Sequence, residues 1–396
     1  MLGMTHDRFV AGCAERGIGS GKAMAAYRAF YLDGDASRMP DAFEARIPPI
    51  VRRLEEDVSE GTTIKFCLRL DRQTGSPTSE RASDKVALGV LNNDDRVQHL
   101  DIESVIIPMI GRTGRKTHTL CVSSQVGCAM GCGFCETAQM GLIRSLTAAE
   151  IVAQWWAARW IEGVEIDNIV FMGMGEPLDN TDAVLEAIAC LTDHHGPRVP
   201  MSNITISTVG RVDGLRRIAE VIQTPGWKRL GLALSVNAPN DTVRDELMPV
   251  NKRWDMQELQ SVMRQIVEVR GARKLLFEYV LIPGVNDAPE HAEQLATWMA
   301  PFGKTDEKTA VGLLNIIPYN PRRNSPWPAP AEEDVGAFVD RMNELGVYTK
   351  RRRTKGRTAM AACGQLGTAE IRGRRFVGET PPTQLADQIT KNGPDV

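Results

Sequence analysis

The chain has no uninterrupted apolar stretch approaching the roughly 18 residues of a membrane-spanning helix. Its opening segment, Met1 to Leu32, also lacks an apolar run of secretory-signal length. A membrane class is therefore excluded and a cytoplasmic location expected. Charge of one sign is missing as well. With 47 basic against 50 acidic residues, the net charge of −3 announces no polyanionic partner by itself. Hydrophobic residues at 42% and charged residues at 24% then exclude intrinsic disorder. What remains is a folded chain of 396 residues, long enough for one large α/β domain and a smaller one.

Local charge says more than the total. Between Lys350 and Arg375 stand nine basic residues (Lys350, Arg351, Arg352, Arg353, Lys355, Arg357, Arg372, Arg374 and Arg375) against the single acid Glu370. Such a run is either a solvated surface or a phosphate-binding stretch. There are eight cysteines, which in a cytosolic protein are read as metal-binding or catalytic before disulfides. Four of them crowd between Cys121 and Cys135, whereas Cys13, Cys67 and Cys190 read as small buried side chains.

Apolar spacing of three and four residues predicts helices over Arg8–Glu15, Gly21–Tyr31 and Ala42–Val58, a helical accessory region of about 1–60. Short strands follow at Thr62–Leu70, Val86–Leu91 and Ile102–Ile107, a β linker region over 61–108 interrupted by a polar hairpin loop, Asp71–Asp84. Beyond it, apolar runs alternate with amphipathic segments. Strands are expected at His118–Ser123, Asn168–Met172, Asn203–Ser207, Leu230–Ser235, Leu275–Leu281 and Val311–Ile317. The helices between them are Ala148–Ile161, Asp182–Leu191, Val212–Ile222, Met256–Val269 and Pro289–Met299. Alternation of this kind means parallel βαβ units, and six of them make an α/β fold of the partial (β/α)6 barrel type. In such folds chemistry gathers where strands end.

The first of these ends carries Cys128-Ala-Met-Gly-Cys132-Gly-Phe-Cys135. Its C-x3-C-x2-C spacing puts three thiols on one tight loop, and thiolates are the usual ligands of iron–sulfur clusters. Three protein ligands leave one iron open to substrate. A zinc site wants four ligands, and the nearest candidate, Cys121, stands seven residues earlier inside a strand.

At this point the sequence resembles the RlmN/Cfr radical S-adenosylmethionine (SAM) RNA adenine methyltransferases, the RlmN branch most closely. The resemblance rests on Cys121-Val-Ser-Ser-Gln-Val-Gly-Cys128, Met172-Gly-Met-Gly-Glu-Pro-Leu178, Ser207-Thr208, Leu234-Ser-Val-Asn-Ala-Pro-Asn-Asp241, Ile317-Pro-Tyr-Asn320-Pro and Ala361-Ala-Cys363-Gly-Gln-Leu366. It implies a radical-SAM core over 109–360, a catalytic cysteine segment at 361–376 and a polar tail at 377–396. It also implies one [4Fe–4S] cluster on Cys128, Cys132 and Cys135, with two SAM molecules consumed per methylation.

Cys363 would accept a methyl group and carry it to the base. Cys121 would resolve the protein–RNA adduct by forming a disulfide, and Glu103 would accept the proton from the base. Independent of the family, alternation over Ile102–Pro108 puts the Glu103 carboxylate on the apolar face of Val105 and Ile107, which is costly unless it is paired or used. Gly175, Glu176, Ser207, Ser235, Val236, Asn237 and Asn320 match SAM-contacting positions.

Implied partners are 23S ribosomal RNA methylated at carbon 2 of an adenosine, transfer RNA as a second substrate, and an electron donor such as flavodoxin. A monomer is expected. Carbon-8 methylation and a non-catalytic iron–sulfur or zinc RNA-binding protein are the alternatives. The sequence departs from the family at Asn237, where a histidine is common, and at Val209, where a serine is frequent. It also lacks acids after Gly356 and has a longer loop from Asp71.

Overall fold

The computed structural model describes residues 2–43, 46–71, 100–111, 113–271, 274–303, 310–352 and 362–367. Two helices, α1 (His6–Ala14) and α2 (Ser20–Leu32), come first. They pack through Phe9, Tyr27, Phe30 and Tyr31, all essentially inaccessible to solvent. The Phe30 ring stacks on Trp156 of the core at 5.4 Å between centroids, and the Trp156 indole N–H donates to the Phe30 carbonyl at 3.1 Å. The helical accessory region is thus welded to the main body.

The expected third helix is not formed. Ile50–Val58 is strand β1, paired antiparallel with β2 (Gly61–Leu70). The apolar spacing across Ala42–Val58 is helical. However, Pro48 and Pro49 lack the N–H groups a helix needs there, and β2 offers an open edge to pair with. Strand β3 (Leu100–Ile110) pairs antiparallel with β2 and then with β4 (Lys116–Cys121). The expected strand Val86–Leu91 and the Asp71–Asp84 loop after Asp71 lie outside the described residues.

From β4 the chain becomes parallel. After a small hairpin of β5 (Gln125–Gly127) and β6 (Leu142–Ser145) come α3 (Ala148–Trp156), β7 (Asn168–Phe171), α4 (Thr181–Leu191), β8 (Ile204–Thr208), α5 (Val212–Val221) and β9 (Gly231–Ser235). Then follow α6 (Asp241–Leu247), α7 (Met256–Arg270), β10 (Leu275–Leu281), α8 (Pro289–Met299), β11 (Gly312–Pro318), α9 (Glu332–Glu344) and β12 (Thr349–Arg351). The sheet order is β1-β2-β3-β4-β7-β8-β9-β10-β11-β12. All six expected parallel strands are present, within two residues of their expected bounds. Strand β12, parallel to β11, is a seventh. The sheet is open at β1 and β12, so the barrel is partial.

Helix α3 shows how the sequence sets an element. Thr147 and Glu150 form a reciprocal capping box, and Ile151, Val152 and Trp155 are buried in the core. Its Gln154 is fully buried and does a second job. The Gln154 Oε1 accepts from the Ser123 N–H at 2.7 Å and the Ser104 hydroxyl at 2.8 Å, while Nε2 donates to the Ser123 carbonyl at 2.9 Å. One side chain thereby satisfies both backbone groups of Ser123 as the chain leaves β4 for the cysteine loop.

Candidate active site

The carboxyl ends of the parallel strands open onto one cleft of about 140 Å³. Cys128, Cys132, Cys135, Gly175, Glu176, Ser207, Ser235, Asn237, Asn320 and Cys363 all line it. Ten positions picked from the sequence, spread over more than two hundred residues, are brought to a single wall. Val236, Cys121 and Glu103 do not line it.

The cysteine loop is shaped by its backbone. Gly127 and Gly131 adopt φ of 76° and 67°, which side-chain-bearing residues rarely reach. A methyl group on Gly127 would overlap the Gly141 carbonyl. The loop is tied down from outside: the Gly133 N–H donates to the Leu247 carbonyl at 3.0 Å, and Arg322 Nε to the Gly133 carbonyl at 2.9 Å. Burial raises the Cys128, Cys132 and Cys135 thiols above their ordinary range, and for Cys128 and Cys132 a neighbouring cysteine raises it further. Buried thiolates need a cationic centre to ionise. The donor set therefore fits a thiolate-ligated iron–sulfur cluster. Among the described residues, no group of three or more His, Cys, Asp or Glu is gathered on a single metal ion; the three thiols share a wall.

Glu176 shapes another part of the same cleft. Its Oε1 accepts from the Leu178 N–H and its Oε2 from the Val209 N–H, each at 2.9 Å, stitching the turn after β7 to the end of β8. Burial pushes the Glu176 carboxyl up to about 7, against those donors. Gly175 before it sits at φ 100°, and a Cβ there would lie 2.5 Å from Gln125 Cβ. Asn237 also works internally. At φ 55°, it accepts the Val280 N–H on Oδ1 at 2.9 Å and donates from Nδ2 to Met248 Sδ at 3.5 Å. The amide that stands where the family commonly has histidine thus bridges β9 and β10.

Val236 is fully buried behind the wall. Its N–H bonds the Glu278 carbonyl at 2.9 Å and its carbonyl accepts from Arg244 Nε at 3.1 Å. Arg244, absent from the sequence reading, also reaches the Val209 carbonyl at 2.6 Å and the Asn251 side chain at 2.9 Å. This fully buried cation holds the ends of β8 and β9 together; burial lowers its pKa to about 10. No periodicity signals such a residue, because it sits on a short helix among ordinary surface-type neighbours.

Arg352 is the larger surprise. In the sequence it is one of a basic run. In the structure its Nη1 donates to Glu278 Oε1 at 2.9 Å, and its guanidinium lies 3.7 and 3.9 Å from Met172 Sδ. Glu278 and Met172 both line the cleft. The Cys363 sulfur is the first cause that raises the Arg352 pKa, with Glu278 and Cys121 adding to it. The cation is therefore near enough to Cys363 and Cys121 to act electrostatically on both. Cys121, buried at the end of β4, is pushed up to about 12 by burial and by Cys363, with Arg352 opposing. Arg351 pairs with Glu332, and most of the remaining basic run lies outside the described residues.

Residues 122–296 match the radical SAM superfamily. Over 381 residues the chain is 34% identical to the dual-specificity RNA methyltransferase RlmN of Caulobacter vibrioides, covering 92% of this chain and 85% of that one. The chain belongs to the RlmN family. The RlmN of Lawsonia intracellularis is 41% identical over 277 residues, 68% of this chain and 73% of that protein. The crystal structure of a radical SAM methyltransferase from Sphaerobacter thermophilus superposes with a TM-score of 0.74 at 31% identity, covering 91% of this chain and 97% of that one. Membership in the RlmN family makes the protein a SAM-dependent radical enzyme that methylates RNA. Among the described residues no helix is long and apolar enough to cross a membrane.

Proposed function

We propose that the enzyme methylates carbon 2 of an adenosine in 23S ribosomal RNA near the peptidyl transferase centre, with transfer RNA as a second substrate, through an S-methylcysteine on Cys363. One observation carries this reading: Cys363 opens onto the same cleft as Cys128, Cys132 and Cys135, while the buried Cys121 is close enough to feel the charge of both Cys363 and Arg352. Cys128, Cys132 and Cys135 would hold one [4Fe–4S] cluster. Gly175, Ser207, Ser235 and Asn320 would contact SAM, and Glu176 would fix the turn that presents Gly175.

Bound there, cluster and SAM supply an activated methyl group for one step and a 5′-deoxyadenosyl radical for the other. The Cys363 sulfur would take the methyl, a new S–C bond forming as the sulfonium S–CH3 bond breaks. Once the adenosyl radical has removed one hydrogen from that methyl group, its carbon would bond to the base, the adduct then losing one electron to the cluster and the base proton to Glu103. Attack of Cys121 on the Cys363 sulfur releases the RNA and leaves a disulfide for a cellular reductant to reopen. The N-terminal helices and the basic stretch from Lys350 would grip phosphates, with the target base turned out of its stack. A flavodoxin-like electron donor, a monomeric state and a cytoplasmic location complete the reading.

The test is anaerobic reconstitution of the cluster, then SAM-dependent methylation of unmodified ribosomal RNA, with methyladenosine isomers separated by mass spectrometry. The 2-methyl isomer is expected. The 8-methyl isomer would move the assignment to the alternative carbon, and no methylation by an iron-loaded chain would overturn it.

A further inference from the structure

Behind Cys363 lies an ion cluster that the methylation scheme leaves without a task beyond the proton acceptor. Glu103 on β3 is 0% exposed, and Lys65 on β2 is 2% exposed. Lys65 Nζ stands 2.9 Å from Glu103 Oε2, and Arg52 Nη2 of β1 stands 2.7 Å from Oε1. Cys67 Sγ is 3.8 Å from the same Oε1, and the Ser123 hydroxyl donates to the Glu103 backbone carbonyl at 2.7 Å. Burying such a group of charges is costly, and apolar residues of similar size would commonly make a more stable core. The arrangement therefore asks for a role.

Glu103 Oε2 also accepts the backbone N–H of Gly367 at 2.7 Å. Gly367 is four residues beyond Cys363, and the described residues there, 362–367, form no helix or strand. Burial of Ala362 and Leu366 and a set of hydrogen bonds hold that segment. The Glu136 N–H donates to the Gly364 carbonyl at 2.7 Å, and the Thr137 hydroxyl to the Leu366 carbonyl at 2.6 Å. Both donors directly follow Cys135, so the Cys363 segment lies against the cluster loop. Of these ties the one to Glu103 ends on a carboxylate flanked by two cations. Charge-assisted bonds are roughly twice as strong as neutral ones. Leu366 lines the cleft, and Glu103 holds the next residue behind it.

We infer that Lys65 and Glu103 form a buried latch that docks the Cys363 segment against the cluster loop, Lys65 being a positioning residue for methyl acceptance by Cys363. This rests on the reading that Cys363 takes the methyl group. It makes the antiparallel extension β1–β3 part of the working site, since the latch's cations come from β1 and β2.

The test uses the full-length, cluster-loaded enzyme as wild type, Lys65→Met and Lys65→Arg. Two quantities are followed: amide hydrogen exchange in the peptide containing 362–367, and RNA-independent methylation of Cys363 by SAM, read by peptide mass. In Lys65→Met, exchange in that peptide should rise about tenfold or more, the scale set by losing a hydrogen bond to a charged group. Cys363 methylation should slow comparably at unchanged half-saturating SAM and unchanged iron content. Lys65→Arg should restore most of both.

Should Lys65→Met fold poorly, the double variant Lys65→Met/Glu103→Gln removes the unpaired buried charge. It should recover thermal stability without recovering protection at Gly367. Wild-type exchange at 362–367 in Lys65→Met or in the double variant refutes the latch. A wild-type enzyme that never methylates Cys363 instead refutes the proposed function, while the exchange data still judge the latch.

Discussion

The Arg352 guanidinium donates to the Glu278 carboxylate at 2.9 Å, which turns the first cation beyond β12 inward onto the wall that carries Cys363. That ion pair holds a positive charge near the Cys363 and Cys121 thiols. Removing it in Arg352→Gln should make Cys121, already pushed up to about 12, harder still to ionise. Alkylation of Cys121 followed by peptide mass across pH should then shift to more alkaline values. RNA methylation should fall by about tenfold or more, one pKa unit corresponding to a tenfold change in thiolate fraction. Arg352→Lys should restore part of each. An alkylation profile identical to wild type would remove Arg352 from this role.

Cys363→Ala should assemble the cluster normally, because the cluster thiols lie on a separate loop, and should yield no methylated RNA. Cys121→Ala should accumulate a covalent protein–RNA adduct, visible as a shifted band in a denaturing gel. Normal turnover in Cys121→Ala would discard its assignment as resolving thiol.

Gly127→Ala should cost at least about 3 kcal/mol, since the residue sits at φ 76° and the added methyl overlaps the Gly141 carbonyl. The expected readout is loss of bound iron together with a lowered melting temperature. Gly114→Ala, at φ 76° with open space around it, should lower stability less and keep the iron.

Glu176→Gln reports on a carboxyl raised from 4.5 to about 7 by burial. The folded value lies above the unfolded one, so the neutral form is the one folding favours. The stabilisation is complete below about pH 4.5 and is lost as pH rises through about 7. In the cluster-free chain, wild type should lose up to about 3 kcal/mol relative to Glu176→Gln across that window. Denaturant unfolding at several pH values measures the difference. A difference that does not change with pH would contradict the assigned burial effect.

The parallel half of the fold was legible because β10 and β11 are buried runs bounded by amphipathic helices, a pattern with one reading. The N-terminal half was less so. Ile50–Val58 has helical spacing and became a strand because Pro48-Pro49 blocked the helix and β2 supplied a partner. Strand β12 went unread because three residues, Thr349–Arg351, are too few to show any period.

What the sequence determined by itself was chemistry carried by local spacing. Three cysteines within eight residues on a glycine-punctuated loop can bind a cluster wherever the loop is placed, and Gly175-Glu176-Pro177 turns as its own backbone dictates. What only the tertiary structure decided was which distant charges meet. Arg352 with Glu278, Lys65 with Glu103 and Arg244 with the ends of two strands are pairings across separations of 8 to 74 residues. They are set by sheet order and strand register, and a charged side chain carries no mark in the sequence of whether its partner will be water or a buried acid.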